Sequence, residues 1–210
     1  AINYIFPSRN EEIQNVKGIM LNPPASSIMD VYHDALYYLR NNKRVLIIFL
    51  DGFGYHQYQY AVKNGYASNL AELPLASRAV SVYKPITNTG FAAIITGQPP
   101  EVNGVHSRKH KDLKTASIFD VAQKMDKKSL LIEADIKILN TEIDPILNTD
   151  KNSNGTCDDE ILDEALKHLK GEKQLIMVHF HGIDDAGHAF GDLNPETMKA
   201  IKRTDGYVRM

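Results

Sequence analysis

The chain has 210 residues, 43% of them hydrophobic, and a formal net charge of −2. That length suits one globular domain with a sizeable buried core. The near-neutral charge excludes the basic footprint of a protein that binds nucleic-acid polymers. The longest apolar run, Val45–Leu50, is too short to span a bilayer. Residues 1–10 also lack a signal-peptide pattern, which leaves open a leader removed from upstream. The single cysteine is compatible with the cytoplasm, which is the expected location.

Two further features of the composition point away from a site. The one basic run, residues 108–111, is followed at once by Asp112, and we expect a solvated loop rather than a phosphate-binding patch. The lone cysteine, Cys157, excludes an internal disulfide and stands beside two acids, which makes it a poor thiolate.

Helical and strand patterns alternate along the chain. Residues 28–40 carry apolar side chains at helical spacing, with Ser26 and Ser27 as predicted caps. The aliphatic run Val45–Leu50 predicts a strand buried on both faces. The tyrosine-rich residues 55–60 fit the start of an amphipathic helix better than a platform for a nucleobase. Further strands are predicted at 79–83, 129–133 and 174–180, and further helices at 90–96, 117–124 and 158–170. Helices placed between buried strands indicate an α/β fold with a mostly parallel sheet covered on both faces.

Polar residues come where predicted strands end, which is where ligands bind in open parallel sheets. Asp51 directly follows Val45–Leu50, and Gly52 and Gly54 allow a tight turn there. Its carboxylate would either bind a cation at the sheet edge or bond to the backbone of its own turn. Taken alone, the residue favours the turn.

Thr87 lies between a predicted strand and a predicted helix. A hydroxyl at this place meets unpaired backbone N–H groups and the positive end of the helix dipole, which favour an alkoxide and a phosphate oxygen. Threonine is a weak nucleophile unless a base or a metal activates it. The alternative is that Thr87, Asn88 or Thr89 caps the helix, and the local pattern alone favours the cap.

Residues 179–188 concentrate three histidines and two acids. Asp184 and His188 are four residues apart in a predicted loop, and their oxygen and nitrogen donors suit zinc or a similar divalent ion. A metal role for the cluster is favoured over a structural one. His179 is the exception, because its place inside a strand pattern also fits a hydrogen-bonded core residue.

The three groups occur in a recognisable order. Asp-Gly follows a strand at Asp51. Lys-Pro-x-Thr-Asn and Thr-Gly-x-x-Pro-x-x-x-Gly-Val then extend from Lys84 to Val105, and Asp-x-x-Gly-His ends at His188. This order resembles the alkaline phosphatase superfamily, and most closely its nucleotide pyrophosphatase/phosphodiesterase branch and the related phosphonoacetate hydrolases. The resemblance implies an α/β three-layer sandwich around a mostly parallel sheet.

The resemblance also implies the chemistry. Asp51 and Thr87 would hold one divalent ion, and Asp184 and His188 a second, with zinc expected and manganese as the other option. Thr87 would attack phosphorus to give a phospho-enzyme that water hydrolyses, while Asn88 would hold a phosphoryl oxygen. The implied substrate is a small phosphate ester, such as a phosphodiester or a nucleotide. The rival functions are a phosphomutase of the same superfamily and a catalytically inactive phosphate-binding relative.

The family pattern continues with an Asp-His pair and a further histidine downstream. No histidine follows His188, and Asp205-Gly206 does not supply the pair. We therefore expect residues 1–210 to be the N-terminal portion of a single alkaline phosphatase-like catalytic domain, incomplete at its C-terminus. With two ligands for each metal, the chain alone is expected to hydrolyse phosphate esters poorly.

Overall fold

A computed structural model of the chain describes residues 26–73 and 78–209. In these ranges no helix is long and apolar enough to cross a bilayer. The strands and helices, in chain order, are β1 (Ser26–Ser27), α1 (Asp30–Arg40), β2 (Val45–Leu50), α2 (Tyr55–Lys63), α3 (Ser68–Glu72), β3 (Ala79–Val80), α4 (Thr87–Thr96), α5 (Pro100–Asn103), α6 (Ile118–Lys124), β4 (Ser129–Glu133), β5 (Ile146–Leu147), α7 (Asp158–Leu169), β6 (Leu175–Phe180), α8 (Gly182–Phe190) and α9 (Pro195–Val208).

The described residues contain a parallel sheet with the strand order β2–β6–β4–β5 and a separate parallel pair of β1 with β3. Every residue of β6 is buried, because the strand lies between β2 and β4 and has helices on both faces. Helices α1, α4 and α6 cover one face of the sheet, and α7 covers the other. Three layers result, and the predicted α/β architecture with a mostly parallel sheet is confirmed.

Strand β2 is less buried than predicted. Leu46 and Ile48 lie on one face of the strand and are 44% and 37% exposed. The prediction of burial on both faces is therefore wrong for this strand. The reason is its position at the sheet edge, where α7 packs against β4 and β6 instead.

Several predicted element boundaries move. Ser26 and Ser27 form β1 rather than capping a helix, and α1 begins at Asp30 after Met29. The strand predicted at 79–83 is limited to Ala79–Val80. The helix predicted at 55–60 is confirmed as the first turns of α2. The predicted helices at 117–124 and 158–170 and strands at 129–133 and 174–180 are present to within a residue.

Asp205 has a structural role at the start of α3. It is 3% exposed, and its carboxylate accepts hydrogen bonds from the backbone N–H groups of Asn69, at 3.1 Å, and Leu70, at 2.8 Å. These bonds tie α9 to the first turn of α3, whose N–H groups have no partners within the helix. The residue therefore serves the fold rather than a metal site.

Asp158 performs a similar task at the start of α8. Its Oδ1 accepts hydrogen bonds from the backbone N–H groups of His181, at 2.9 Å, and Gly182, at 3.1 Å. Asp158 is 1% exposed and opens α7, so its carboxylate links α7 to the segment that follows β6. That segment carries Asp184.

We predict that Asp158→Ala lowers the free energy of unfolding by about 2 kcal/mol, because it leaves buried N–H groups at the start of α8 without an acceptor. Chemical denaturation would measure the loss. Asp163→Ala, an exposed change on the same helix, is the control and should remain within about 0.5 kcal/mol of the parent. Equal losses in the two variants would contradict the role assigned to Asp158.

Candidate active site

A cleft of about 400 Å³ opens beyond the carboxyl ends of β2 and β6. Four of the five residues singled out from the sequence border it: Asp51, Thr87, Asp184 and His188. The polar groups predicted from three separate segments thus meet around one cavity.

Thr87 is the first residue of α4, and its hydroxyl is engaged by the site rather than by the helix. Its Oγ1 donates a hydrogen bond to Oδ2 of Asp51 at 3.0 Å. The N-cap position belongs to Ile86, and no side chain caps the helix. Thr89 Oγ1 instead donates to the carbonyl oxygens of Lys84 and Ile86. The capping interpretation of Thr87 is therefore wrong.

Asn88 lies beside Thr87 but turns into the protein. It is 5% exposed, and its Nδ2 donates to the carbonyl oxygen of Ile138 at 3.0 Å. This bond joins α4 to the segment after β4. A contact between Asn88 and a phosphoryl oxygen stays a prediction.

Two histidines surround Asp51 from the neighbouring strand. Strand β6 pairs with β2 so that Phe49 lies opposite His179 and Leu50 opposite Phe180. Side chains two residues apart lie on the same face of a strand, so His179 and His181 follow one another on the face that carries Asp51. Their nearest ring nitrogens, Nε2 of His179 and Nδ1 of His181, are 3.5 and 3.9 Å from Oδ2 of Asp51.

His179 is fully buried and has a second carboxylate on its other side. Its Nδ1 lies 3.4 Å from Oε1 of Glu133, which is also fully buried, at the end of β4. The ring stacks on Phe49 at a centroid distance of 4.3 Å and packs at 3.8 Å against His181. His179 is buried, as the alternative of a core histidine requires. Its Nε2 nevertheless points towards Asp51 and has no hydrogen-bond partner among the described residues.

The charges of this cluster are strongly coupled. Burial opposes ionisation of Asp51, but the nearby imidazoles of His179 and His181 and the hydrogen bond from Thr87 hold its pKa below the ordinary value. Burial likewise opposes charge on His179, and the carboxylates of Asp51 and Glu133 outweigh it, so its pKa is raised. Burial, assisted by His179, lowers the pKa of His181 to about 3, which keeps that ring neutral at physiological pH.

Asp184 and His188 belong to a helix and not to the predicted loop. Both lie on α8 one turn apart, and Nε2 of His188 is 3.4 Å from Oδ2 of Asp184. The imidazole is 67% exposed and the carboxylate 26%. Partial burial, followed by the charge of Asp51, raises the pKa of Asp184 to about 6. The Asp184–His188 pair is thus open to the cleft, whereas the Asp51–Thr87 pair is enclosed.

Gly52 allows the Asp184–His188 pair on α8 to lie close to the Asp51–Thr87 pair. Its backbone has φ +67°, and a Cβ atom there would be 2.6 Å from Cα of Asp184, closer than real contacts allow. Only glycine combines this conformation with such close packing. The Gly52 position therefore fixes α8 against the turn that carries Asp51.

The sequence identified His179 and His181 only as members of the 179–188 cluster and gave neither a position beside Asp51. That position follows from pairing the strands at 45–50 and 174–180 in register, since alternation then puts both histidines beside Asp51. Glu133 and Arg108 were not identified from the sequence as residues of the site. Arg108 lies in an exposed loop, as predicted for the basic run, but its side chain also lines the cleft. No local pattern distinguishes Arg108 from its neighbours.

No family model and no curated protein sequence matches the chain. Solved structures do match. Murine ectonucleotide pyrophosphatase/phosphodiesterase 5, in an inactive form in complex with AMP, has a TM-score of 0.61 and 16% identity, over 80% of this chain and 50% of the other. Phosphonoacetate hydrolase from Sinorhizobium meliloti 1021, in complex with phosphonoacetate, has a TM-score of 0.62 and 15% identity, over 79% and 52%.

The chain has an alkaline phosphatase-like fold. It spans about half the length of the solved structures it matches. At such low identity the similarity establishes the fold, and the chemistry of this alkaline phosphatase-like chain has to be argued from its own residues.

We predict that Gly52→Ala destabilises the protein more than Gly65→Ala does. Both glycines have positive φ, +67° and +74°, but no atom of the described part of the chain lies within 4 Å of a Cβ at Gly65. The control should therefore lose only the cost of the left-handed backbone, about 1 kcal/mol. Gly52→Ala adds a clash with Asp184, and denaturant unfolding should show a further loss of about 1–3 kcal/mol. Equal losses would mean that the close approach does not matter.

Proposed function

We propose that the chain carries the nucleophile half of a metal-dependent hydrolase of small phosphate esters. The hydrogen bond from Thr87 Oγ1 to Asp51 Oδ2, at the edge of the cleft, carries this proposal. It orients the threonine hydroxyl at the N-terminus of α4, where the helix dipole favours negative charge. Residues 1–210 would then form the N-terminal portion of one catalytic domain.

The donors around the cleft suit divalent metal ions. Asp51 and Thr87 would hold one ion, and Asp184 and His188 a second. Carboxylate and imidazole donors fit zinc, with manganese as the alternative. Nε2 of His179, buried and without a hydrogen-bond partner, supports a cation at the Asp51 end. The ions would lower the pKa of the threonine hydroxyl and neutralise charge on the phosphoryl group.

Three residues of the cleft, Thr87, Arg108 and Asp51, would each have a different role in the reaction. Thr87 Oγ1 would lose its proton and form a bond to phosphorus, while the bond from phosphorus to the leaving oxygen breaks and that oxygen takes up a proton from solvent. Water then cleaves the phosphothreonine and restores the hydroxyl. Arg108, which lines the cleft, offers a positive charge to the phosphoryl oxygens. Asp51 keeps the Thr87 hydroxyl in place before each turnover.

A small substrate fits the dimensions of the site. A cleft of about 400 Å³ lies within the range of pockets for small molecules. The similar solved structures hold AMP and phosphonoacetate, a nucleotide and a phosphonate, which supports a small substrate that carries a phosphorus group, and we propose a nucleotide or another small phosphate ester here. None of Tyr55, Tyr58 and Tyr60 lines the cleft, whereas Phe53 does.

A cytoplasmic location stays a prediction from the sequence.

We predict that Thr87→Ala lowers kcat by at least about a thousandfold, because the covalent step loses its nucleophile. The assay compares mono- and diesters with zinc and with manganese, using the protein that contains this chain together with any natural C-terminal continuation. Thr87→Ser keeps a hydroxyl and should retain measurable turnover. Mass spectrometry of quenched reactions should detect a phosphorylated Thr87 peptide in the parent.

Other outcomes would decide against the proposal. Retained turnover in Thr87→Ala would rule out this residue as the nucleophile. Transfer of the phosphoryl group to a second hydroxyl instead of water would indicate a phosphomutase. Ligand binding without turnover in the parent would indicate an inactive phosphate-binding relative.

We predict that Arg108→Ala raises KM about 10- to 100-fold and changes kcat little, since a charge-assisted hydrogen bond contributes about 1.5–3 kcal/mol to binding. Lys109→Ala is the matched control, because Lys109 is exposed in the same turn and does not line the cleft. Steady-state kinetics on one substrate would measure both. A similar small effect in the two variants would remove Arg108 from the phosphate site.

A further inference from the structure

The Asp51 end of the cleft contains more metal-ligand atoms than the sequence pattern indicates. One ligand atom from each of Asp51, His179 and His181 lies within 4.8 Å of the other two. Thr87 Oγ1 adds a fourth donor, 3.0 Å from Oδ2 of Asp51. All four side chains come from residues 51–181 of this chain.

We propose that Asp51, His179 and His181, with Thr87 at the fourth position, form a complete binding site for one transition-metal ion, so that the 210-residue chain binds one zinc ion without further ligands. This inference rests on the metal at Asp51 in the proposed function, and it assigns that metal's remaining ligands to the end of β6. It replaces the expectation of only two ligands for each ion.

The distances from Oδ2 of Asp51 to the other three donors are close to those around a tetrahedral ion. With metal–ligand bonds of about 2.0–2.1 Å, tetrahedral ligands stand about 3.3 Å apart. From Oδ2 of Asp51, the measured distances are 3.0 Å to Thr87 Oγ1, 3.5 Å to His179 Nε2 and 3.9 Å to His181 Nδ1. These three distances differ from that ideal by about 0.6 Å or less, a difference that small side-chain rotations can remove.

The surroundings of His179 are those of a metal ligand. Its Nε2 is fully buried, is directed towards Asp51 and has no hydrogen-bond partner. On the other side of the ring, Nδ1 lies 3.4 Å from the buried carboxylate of Glu133. Histidine ligands commonly donate their second ring nitrogen to a carboxylate, which fixes the tautomer and leaves the metal-facing nitrogen free. Glu133 would be this positioning residue.

The donor set selects the class of ion. Two imidazoles and one carboxylate favour zinc and similar transition metals over magnesium and calcium, which prefer oxygen ligands. The Asp184–His188 pair supplies only two donors, and its imidazole is 67% exposed. The chain alone should therefore hold one tightly bound zinc ion, at the Asp51 end, and should hold none firmly at α8.

The test is a zinc titration of the purified 210-residue chain after treatment with a chelator, by calorimetry and by competition with a chromogenic chelator. We expect one zinc ion per chain, with no comparable binding of magnesium. His181→Ala should weaken zinc binding at least about tenfold, and Glu133→Gln, which acts through His179, by about tenfold or more. His188→Ala is the matched control and should bind zinc within twofold of the parent.

Cobalt(II) provides a readout of the ligand geometry. The parent loaded with cobalt should show the intense visible absorption of a four-coordinate site, and His181→Ala should lose it. Circular dichroism and thermal unfolding of the metal-free variants show whether each is folded. Should His181→Ala fail to fold, His181→Gln, which preserves more of the packing, replaces it in every arm.

Two results would overturn the inference. One is zinc affinity in folded His181→Ala or His181→Gln within twofold of the parent, and the other is a loss of zinc in His188→Ala that matches the loss expected at His181. Neither readout depends on turnover. Retained hydrolysis in Thr87→Ala would instead remove the proposed nucleophile and leave the zinc site intact, so the two failures are distinguishable.

Discussion

The site depends on the register of one parallel strand pair. Strand β2 lies against β6 so that Leu50 is opposite Phe180, and the Asp51 N–H donates to the carbonyl oxygen of Phe180 at 3.0 Å. A shift of one residue would move His179 and His181 to the opposite face of the sheet, away from Asp51. The apolar side chains that alternate between the two helical layers oppose that shift. Packing of the core thus sets which polar groups meet at the strand ends.

The same packing buries ionisable side chains, which lowers the stability of the fold. Asp51, Glu133 and His179 are all buried, and ionised groups without water are expensive unless they are paired. His179 lies between the two carboxylates and offsets part of this cost, while the Thr87 hydroxyl satisfies one oxygen of Asp51. Three apolar residues of similar size would be cheaper to bury. An arrangement that gives up stability in this way is common where a ligand or a reaction requires it.

The sequence predicts most of the elements, and the reasons for its failures are physical. The aliphatic run Val45–Leu50 shows that a strand forms, but such a run does not show which strand lies at the edge of the sheet, and Leu46 and Ile48 are partly exposed there. The sequence alone does not decide the role of Thr87, because a threonine at the start of a helix can serve either as a cap or as a nucleophile. Only the distance to Asp51, which requires the tertiary fold, separates them. The place of Arg108 in the cleft is harder still to predict from the sequence, since it depends on the path of an irregular loop.

The two metal positions of the proposed function differ in their degree of enclosure, and this difference has a consequence for their order of occupation. The Asp51 end is largely buried and offers four donors at strand and helix ends. The α8 pair is one helical turn of an open surface, with a carboxylate whose pKa is raised to about 6 by its burial and by Asp51. A cation at Asp51 would offset negative charge beside Asp184, because Gly52 keeps the two positions close together. We therefore expect the enclosed position to be occupied before the open one.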